Sequence, residues 1–471
     1  VEPRRPLVLA LTLAGFACRS PSSTDETAGG TADSTGEASG ADDGSTDTSG
    51  AGTNDTDEGS ASESVDDTGE QATCSPASFP DPQLDALVRE ALALGPDAAL
   101  GPETLAQLES LSIPSQSGVE SIAGLECATG LSFLSLSLLP ESLEPLADLP
   151  ALETLQLRGD LTFSDPALLA PLASLPALDF LWIESQAGLA LGGLEGASAP
   201  VTRLRLSADQ VSGSQALASF TQVSELKLQG LGFDDLDFIA GMPALADISL
   251  IGTEVADISA LAQANALERF ESSSSPVVDL SPLAAKGLHT LTCSGSQLED
   301  ISALATMPAL AHVELSFNAV TDLGPLAELP ALTSLVLSHS LVSDLSPLSS
   351  VPTLDELRVE STPLGPLPEG IAASKLYLFA CGIEDIAALV TWGPPDSWDL
   401  SNNEIEDLSP LLAAPWVFED EACHLLDVSS NPLSAPGNAD TVAQLCAQGL
   451  SVFNQDEALA CEGAACLPSP G

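Results

Sequence analysis

The chain is 471 residues long and carries 68 Asp and Glu against 12 Lys and Arg, a formal charge of −56. Repulsion from phosphate weighs against nucleic acid as a partner, and self-repulsion predicts a soluble monomer. Hydrophobic residues make up 44% and aromatics only 4%, so a large core must be mainly aliphatic.

Residues 1–18 read VEPRRPLVLALTLAGFAC. Arg4 and Arg5 form a basic start, and Leu7 to Phe16 form an apolar run too short to span a membrane as a permanent helix. That pattern suits a secretory signal. The closing Gly-Phe-Ala-Cys resembles a bacterial lipoprotein cleavage box, with Gly15 where Leu is usual. The resemblance implies a lipid on Cys18; an ordinary signal peptide with an incidental cysteine is the alternative. Residues 19–73 are almost all Ser, Thr, Gly, Ala, Asp and Glu, with no aromatic residue and no basic residue after Arg19. Such a segment cannot bury enough apolar area to offset its ordering entropy. It is expected to be a disordered, self-repelling tether reaching about 40 Å. Its carboxylates lack the spacing of a calcium loop.

Residues 74–127 are read as a cap. Leu84, Leu87, Val88, Ala91 and Leu92 share one helical face. Asp81 is placed to N-cap that helix, Pro82 suits its first turn, and Gly95-Pro96 stops it. A second helical piece is expected around Glu103–Leu111 and a strand near Gly118–Ile122.

From 128 to 453 the chain repeats itself. Leu310, Val313, Leu315, Asn318, Val320, Leu323 and Leu326 are matched by Leu332, Leu335, Leu337, Ser340, Val342, Leu345 and Leu348, each 22 residues later. A fixed period of that length is the signature of a leucine-rich repeat, in which one turn cannot bury its own apolar side. The expected fold is an α/β solenoid, a right-handed superhelix with a parallel β-sheet on the concave face and an α-helical N-terminal cap. LxxLxL segments begin near Leu131, Leu152, Leu178, Val201, Val223, Leu245, Leu267, Leu288, Leu310, Leu332, Leu354, Ala373, Pro395, Cys423 and Ala447, which predicts fifteen turns. Longer steps after Leu152 and Pro395 place extra loop on the convex side or edge. Asn318, Asn403 and Asn431 are expected to satisfy backbone groups where the chain leaves the sheet. Asp257, Asp279, Asp300, Asp322, Asp344, Asp385 and Asp407 are expected to cap the return turns; a cation-binding ridge is the other reading of that row.

The stretch FPDPQLDALVREALALGPDAALGPETLAQLESL and the recurrent segments Asp257–Leu261, Asp300–Leu304, Asp322–Leu326, Asp344–Leu348 and Asp407–Leu411 resemble bacterial internalin-type leucine-rich-repeat proteins over residues 79–453. With the lipoprotein-like start, this implies a protein of the bacterial cell envelope, at the outer membrane or cell surface through a lipid anchor, or otherwise secreted.

No nucleophile elbow, phosphate loop or zinc motif is present, so neither an enzyme nor a cofactor or metal is expected. His289 and His312 lie in neighbouring strands at different repeat positions and read as exposed sheet residues; the other two histidines are His339 and His424. The cations are more telling. Beyond Arg4, Arg5 and Arg19 there are nine, and seven of them fall in the solvent-facing third, fifth and seventh columns of the repeat: Arg158, Arg203, Arg205, Lys227, Arg269, Arg358 and Lys375. Phe133, Phe180, Trp182 and Tyr377 join them. Trp182, Arg205 and Lys227 should fall in adjacent rows, with Phe180 and Arg203 beside them. Aromatic and Arg side chains together are the composition of binding hot spots. The alternative is a merely solvated face whose cations pair with Glu184, Glu225, Glu271, Glu356 and Glu360. The expected function is non-catalytic binding of a protein or glycan ligand through the concave face, or else a structural envelope lipoprotein without a specific ligand.

Eight of the nine cysteines remain once Cys18 is set aside, an even number that suits an oxidising compartment. Cys293 and Cys381 fall at core or ladder positions and are expected to be free. Adjacent equivalent strand positions lie about 5 Å apart, within disulfide reach. That predicts Cys423–Cys446, with Cys461–Cys466 in the C-terminal tail of residues 454–471 and Cys74–Cys127 at the cap.

Overall fold

The computed structural model describes residues 79–461, apart from 160, 353, 395, 417–423 and 457–458. The signal segment, the tether and Cys18, Cys74, Cys423 and Cys466 therefore lie outside the described residues.

Sixteen short strands form one parallel sheet, each beside its predecessor in the chain's sheet order. Parallel neighbours cannot be joined by a tight turn, so the chain returns across the back of the sheet after every strand. Many returns contain a short 3-10 turn, as at Ser302–Thr306, Gly324–Glu328 and Ser346–Ser350. The leucines dictate this form. Leu332, Leu335, Leu337, Val342, Leu345 and Leu348 are at most 1% exposed. Val313, Leu335 and Leu357 lie side by side in three consecutive strands. Each row continues into the next, so the core is continuous and no turn has one of its own.

The polar positions of the repeat hold the bends. Asn318 is buried; its Oδ1 accepts from the backbone N–H of Ser296 at 3.1 Å and of Leu298 at 3.0 Å. Its Nδ2 donates to the carbonyls of Cys293 at 2.7 Å and Leu315 at 3.0 Å. Asn403 repeats the arrangement between Cys381, Ile383, Leu378 and Leu400. Where the row carries Ser or Thr, a hydroxyl does part of this, as Thr362 Oγ1 accepts from Ser340 N–H at 3.1 Å. The Asp row caps the returns. In each of the seven, the carboxylate accepts the N–H two residues on at 2.8 Å. The Ser259 backbone N–H, aided by its side chain, holds the Asp257 carboxyl below its ordinary value.

The first helix, Pro82–Ala91, starts as expected. Asp81 accepts from Gln83 N–H at 2.8 Å and Leu84 N–H at 3.2 Å. Its other oxygen accepts from Glu120 N–H at 2.7 Å and Ser121 N–H at 3.1 Å, tying the helix to the turn before the first repeat. Burial pushes this carboxyl up, but the four backbone donors outweigh it and hold it below its ordinary value.

Four expectations are corrected. The cap strand is Ser110–Ile113, not Gly118–Ile122, and the second helix is only Pro102–Leu105. Ser-Leu-Ser-Ile alternates with period two, buries Leu111 and Ile113, and pairs with Phe133–Leu136; it supplies the sixteenth strand. The last turn is offset by two residues. Leu426 aligns with Val452, which puts Gly449 and not Ala447 at the first position of LxxLxL, because the helix Asn438–Ala447 fills the preceding return. That offset also overturns the disulfide pairing. Cys446 sits on the last turn of the helix, away from the strand row, and bonds Cys461 with a Cα–Cα distance of 6.3 Å. Cys461 is brought there by an antiparallel bridge to Val452. Cys423–Cys446 and Cys461–Cys466 are therefore excluded. Cys127 is disulfide-bonded; Cys74, its expected partner, lies outside the described residues. Cys293 and Cys381 are free and buried, and burial pushes their thiols up to about 12 and about 11.

Candidate ligand-binding face

The solvent side of the sheet follows from strand alternation. Where Leu181 and Ile183 point inward, Phe180 and Trp182 must point outward. Register then stacks rows. Phe180 lies beside Arg203, Trp182 beside Arg205, and Arg205 beside Lys227. The five residues expected to converge do share three consecutive strands.

Their packing is more specific than adjacency. The Arg158 guanidinium lies 4.0 Å from the Trp182 ring centroid, and the Arg205 guanidinium 5.8 Å from it. Arg158 stands just past the end of the strand before Trp182, which closes at Leu157, and Arg205 on the strand after, so the indole has a cation on each side along the sheet. Arg203 and Arg205 lie 4.9 Å and 5.5 Å from the Phe180 centroid. The two rings are 6.4 Å apart and tilted. Cations over aromatic faces are mutually attractive by about 0.5–2 kcal/mol each. The rings are accordingly half-buried, where an exposed aromatic surface was expected. Each ring has two guanidinium groups beside it, Arg158 and Arg205 at Trp182 and Arg203 and Arg205 at Phe180.

The cations also pair with carboxylates. Arg158 pairs with Glu184 at 3.8 Å, Arg205 with Glu225 at 3.0 Å, and Arg358 with Glu356 at 3.4 Å and Glu360 at 2.9 Å. Glu271 instead accepts from the Ser249 hydroxyl at 2.6 Å. Two partners escaped sequence reasoning because they sit in the second position of the repeat or on an unexpected row. Asp179 holds Arg203, and Asp247 holds Arg269, each at 2.7 Å. The Thr202 hydroxyl, with Arg203, holds the Asp179 carboxyl below its ordinary value. Arg205 Nε is buried without a hydrogen-bond partner. Among the described residues Lys227 and Lys375 have no ion pair. Further along, Arg358 lies 4.2 Å from the Tyr377 centroid in the next strand. Phe133 is half-buried two strands before Phe180 and contributes no ring contact to the cluster.

No family model matches the chain, and no curated protein is similar to it. Solved structures are similar. An internalin (inlF) from Listeria monocytogenes aligns with a TM-score of 0.53 and 23% identity, over 73% of this chain and 96% of that one. The fold is that of a leucine-rich-repeat protein. TLR13, in a complex with ssRNA13, aligns with a TM-score of 0.51 and 16% identity, over 76% of this chain and 55% of its own. A leucine-rich-repeat protein of Leptospira interrogans gives a TM-score of 0.49 and 13% identity, over 75% and 97%. Identities this low establish the fold and nothing finer.

The remaining polar residues of the leucine-rich-repeat face are scattered. His289 and His312 are exposed, and so is His339. His424 is buried; it aligns with the buried Leu450 of the terminal strand and lies 3.8 Å from Asp396. His339 does not lie in the sheet. It stacks on Phe317 at 4.4 Å just past the strands, both residues at positive φ. Among the described residues no group of three or more His, Cys, Asp or Glu is placed to hold a metal ion, and no helix is long and apolar enough to cross a membrane.

Proposed function

We propose that this chain is a non-catalytic binding protein that holds a protein ligand bearing acidic groups on the sheet face, at Phe180, Trp182, Arg203, Arg205 and Lys227. One observation carries the reading: in a chain of charge −56, arginines and aromatics are gathered into one interleaved cluster with partly exposed guanidinium edges. Carboxylates accept bidentate bonds from such edges. A sugar ring stacks on aromatic faces, and here arginines lie against both rings and compete for that stacking, so a protein is favoured over a glycan. The TLR13 comparison raises RNA as a ligand; the net charge of this chain opposes it. With the signal segment, Cys18 and the acidic tether, the reading places the solenoid at a bacterial cell envelope as a lipoprotein. Cys18→Ser should then release the protein from membranes or leave it unprocessed.

The test of binding is a titration of a captured partner against Trp182→Ala/Arg205→Glu. A loss of at least about 2 kcal/mol is expected if these are hot spots. The control is Asp322→Asn on the return side, which keeps an acceptor for Gly324 N–H. Wild-type affinity in the sheet-face variant refutes the assignment. A structural envelope role without a ligand is the second reading. It is favoured by the ion pairs that already engage Arg158, Arg203, Arg205 and Arg358, and capture of no partner by the full chain would support it.

A further inference from the structure

The Trp182 cluster is not alone. Phe180–Ser185 is the fourth strand of the sheet and Ala373–Tyr377 the thirteenth, nine steps further on. At about 4.8 Å per step, the two lie about 43 Å apart along the sheet. There the same chemistry recurs. Arg358 covers the Tyr377 ring at 4.2 Å, and Lys375 stands exposed beside it.

The rows between are different in kind. The fifth column reads Ser249, Glu271, Thr292, Glu314 and Val336 in five consecutive strands. Its side chains are short apart from two carboxylates, so the relief is low and the only charge in the column is negative. Burial, and then the neighbouring Glu271, push the Glu314 carboxyl above its ordinary value, with Arg358 opposing. A further anion laid along this column would be repelled.

We infer that the Arg358–Tyr377 cluster is a second anchor, and that one extended polypeptide, acidic at both ends and neutral or basic in its middle, engages both clusters at once. The inference rests on the reading of the Trp182 cluster as an acidic-ligand site. The span decides for an extended chain, because about 43 Å is some 13 residues of extended backbone. Low relief lets such a chain lie along the fifth column of the middle rows, beside Arg269 and Asp247 in the third. Charge complementarity sets its polarity pattern, cationic anchors meeting its acidic ends and carboxylates its middle. Two tethered contacts reinforce each other only when the linker spans both sites.

The test uses proline rulers. Peptides carry an Asp-Glu-Asp block at each end of a spacer of four or twelve prolines, about 12 Å or 37 Å in polyproline form; a third peptide carries one block. Each is titrated into the full chain at low salt, reading tryptophan emission. Trp392 and Trp398 are 1% exposed and Trp416 8%, so the half-buried Trp182 should dominate the response, and Trp182→Phe checks this. The twelve-proline peptide should bind at least tenfold tighter than the other two. Arg358→Gln/Tyr377→Ala, with circular dichroism as the check on folding, should erase that gain. Binding of the one-block peptide with no gain from the second block overturns the second anchor and leaves the first standing. A gain that survives Arg358→Gln/Tyr377→Ala also overturns it. If no peptide alters the Trp182 emission, both the second anchor and the acidic-ligand reading fall.

Discussion

Asn318→Ala isolates what holds one turn of the stack to the next. The Asn318 side chain is 6% exposed and joins two turns. Its Oδ1 serves Ser296 and Leu298 N–H, and its Nδ2 serves the Cys293 and Leu315 carbonyls. Alanine removes the partner of two buried donors and, with the Ser316 carbonyl at 3.2 Å, of three acceptors. At about 1–3 kcal/mol for each group, the upper bound is about 15 kcal/mol. Underpaired carbonyls are better tolerated than N–H groups, and water can enter the space left by the amide. The expected cost is therefore about 3–5 kcal/mol. Asn318→Thr should cost roughly half as much, since Thr362 holds the equivalent place two turns on by accepting from Ser340 N–H at 3.1 Å and donating to the Leu337 carbonyl at 3.3 Å. Repeats unfold with their neighbours, so a melting curve alone would blur the site. Amide hydrogen exchange reads it directly. The Ser296 and Leu298 amides should lose protection in the alanine variant and keep most of it in the threonine variant. Unchanged protection at both amides, together with a stability loss below about 0.5 kcal/mol, would refute the role given to this row.

Asp81→Ala should cost about 2 kcal/mol and loosen the cap before the repeats, as removal of an N-cap acceptor does. Because its folded value is depressed, the Asp81 contribution is present above the ordinary value of 3.8 and fades as pH falls through the lower folded one; acid denaturation curves of variant and wild type should converge there. Lys286 is 9% exposed where the neighbouring turns carry Ala264 and Met307, and its Nζ donates to the Ala262 carbonyl at 2.6 Å. Burial holds its ammonium below its ordinary value, so Lys286→Met should raise the denaturation midpoint, and a lower midpoint would contradict the burial cost. Non-reducing peptide mapping should recover Cys446 bonded to Cys461, while Cys293 and Cys381 should resist a thiol reagent at pH 8 until the protein is unfolded; rapid labelling of either in the native protein would count against their burial.

The repeat itself is written in the sequence. Leu332, Leu335 and Leu337 recur at a constant offset, and so do the Asn and Asp rows, because each turn meets the same neighbour in the same way. A residue that satisfies its row once satisfies it everywhere, and the pattern becomes periodic and legible. The helix Pro82–Ala91 was legible for a related reason, since Asp81 caps groups two and three residues away. The stacking of Trp182, Arg205 and Lys227 follows from the same constant register. What the tertiary structure decided lies where that offset breaks. Ser110–Ile113 became a strand because Phe133–Leu136 offers it an edge. The helix Asn438–Ala447 displaced the last turn by two residues and carried Cys446 to Cys461. The Trp182 ring is approached by Arg158, a diagonal neighbour just past the preceding strand; the columns place both residues on the face but do not pair them. Periodic sequence records contacts between equivalent positions; at the ends of the stack and between long side chains the contacts are between inequivalent ones, and only the folded chain selects them.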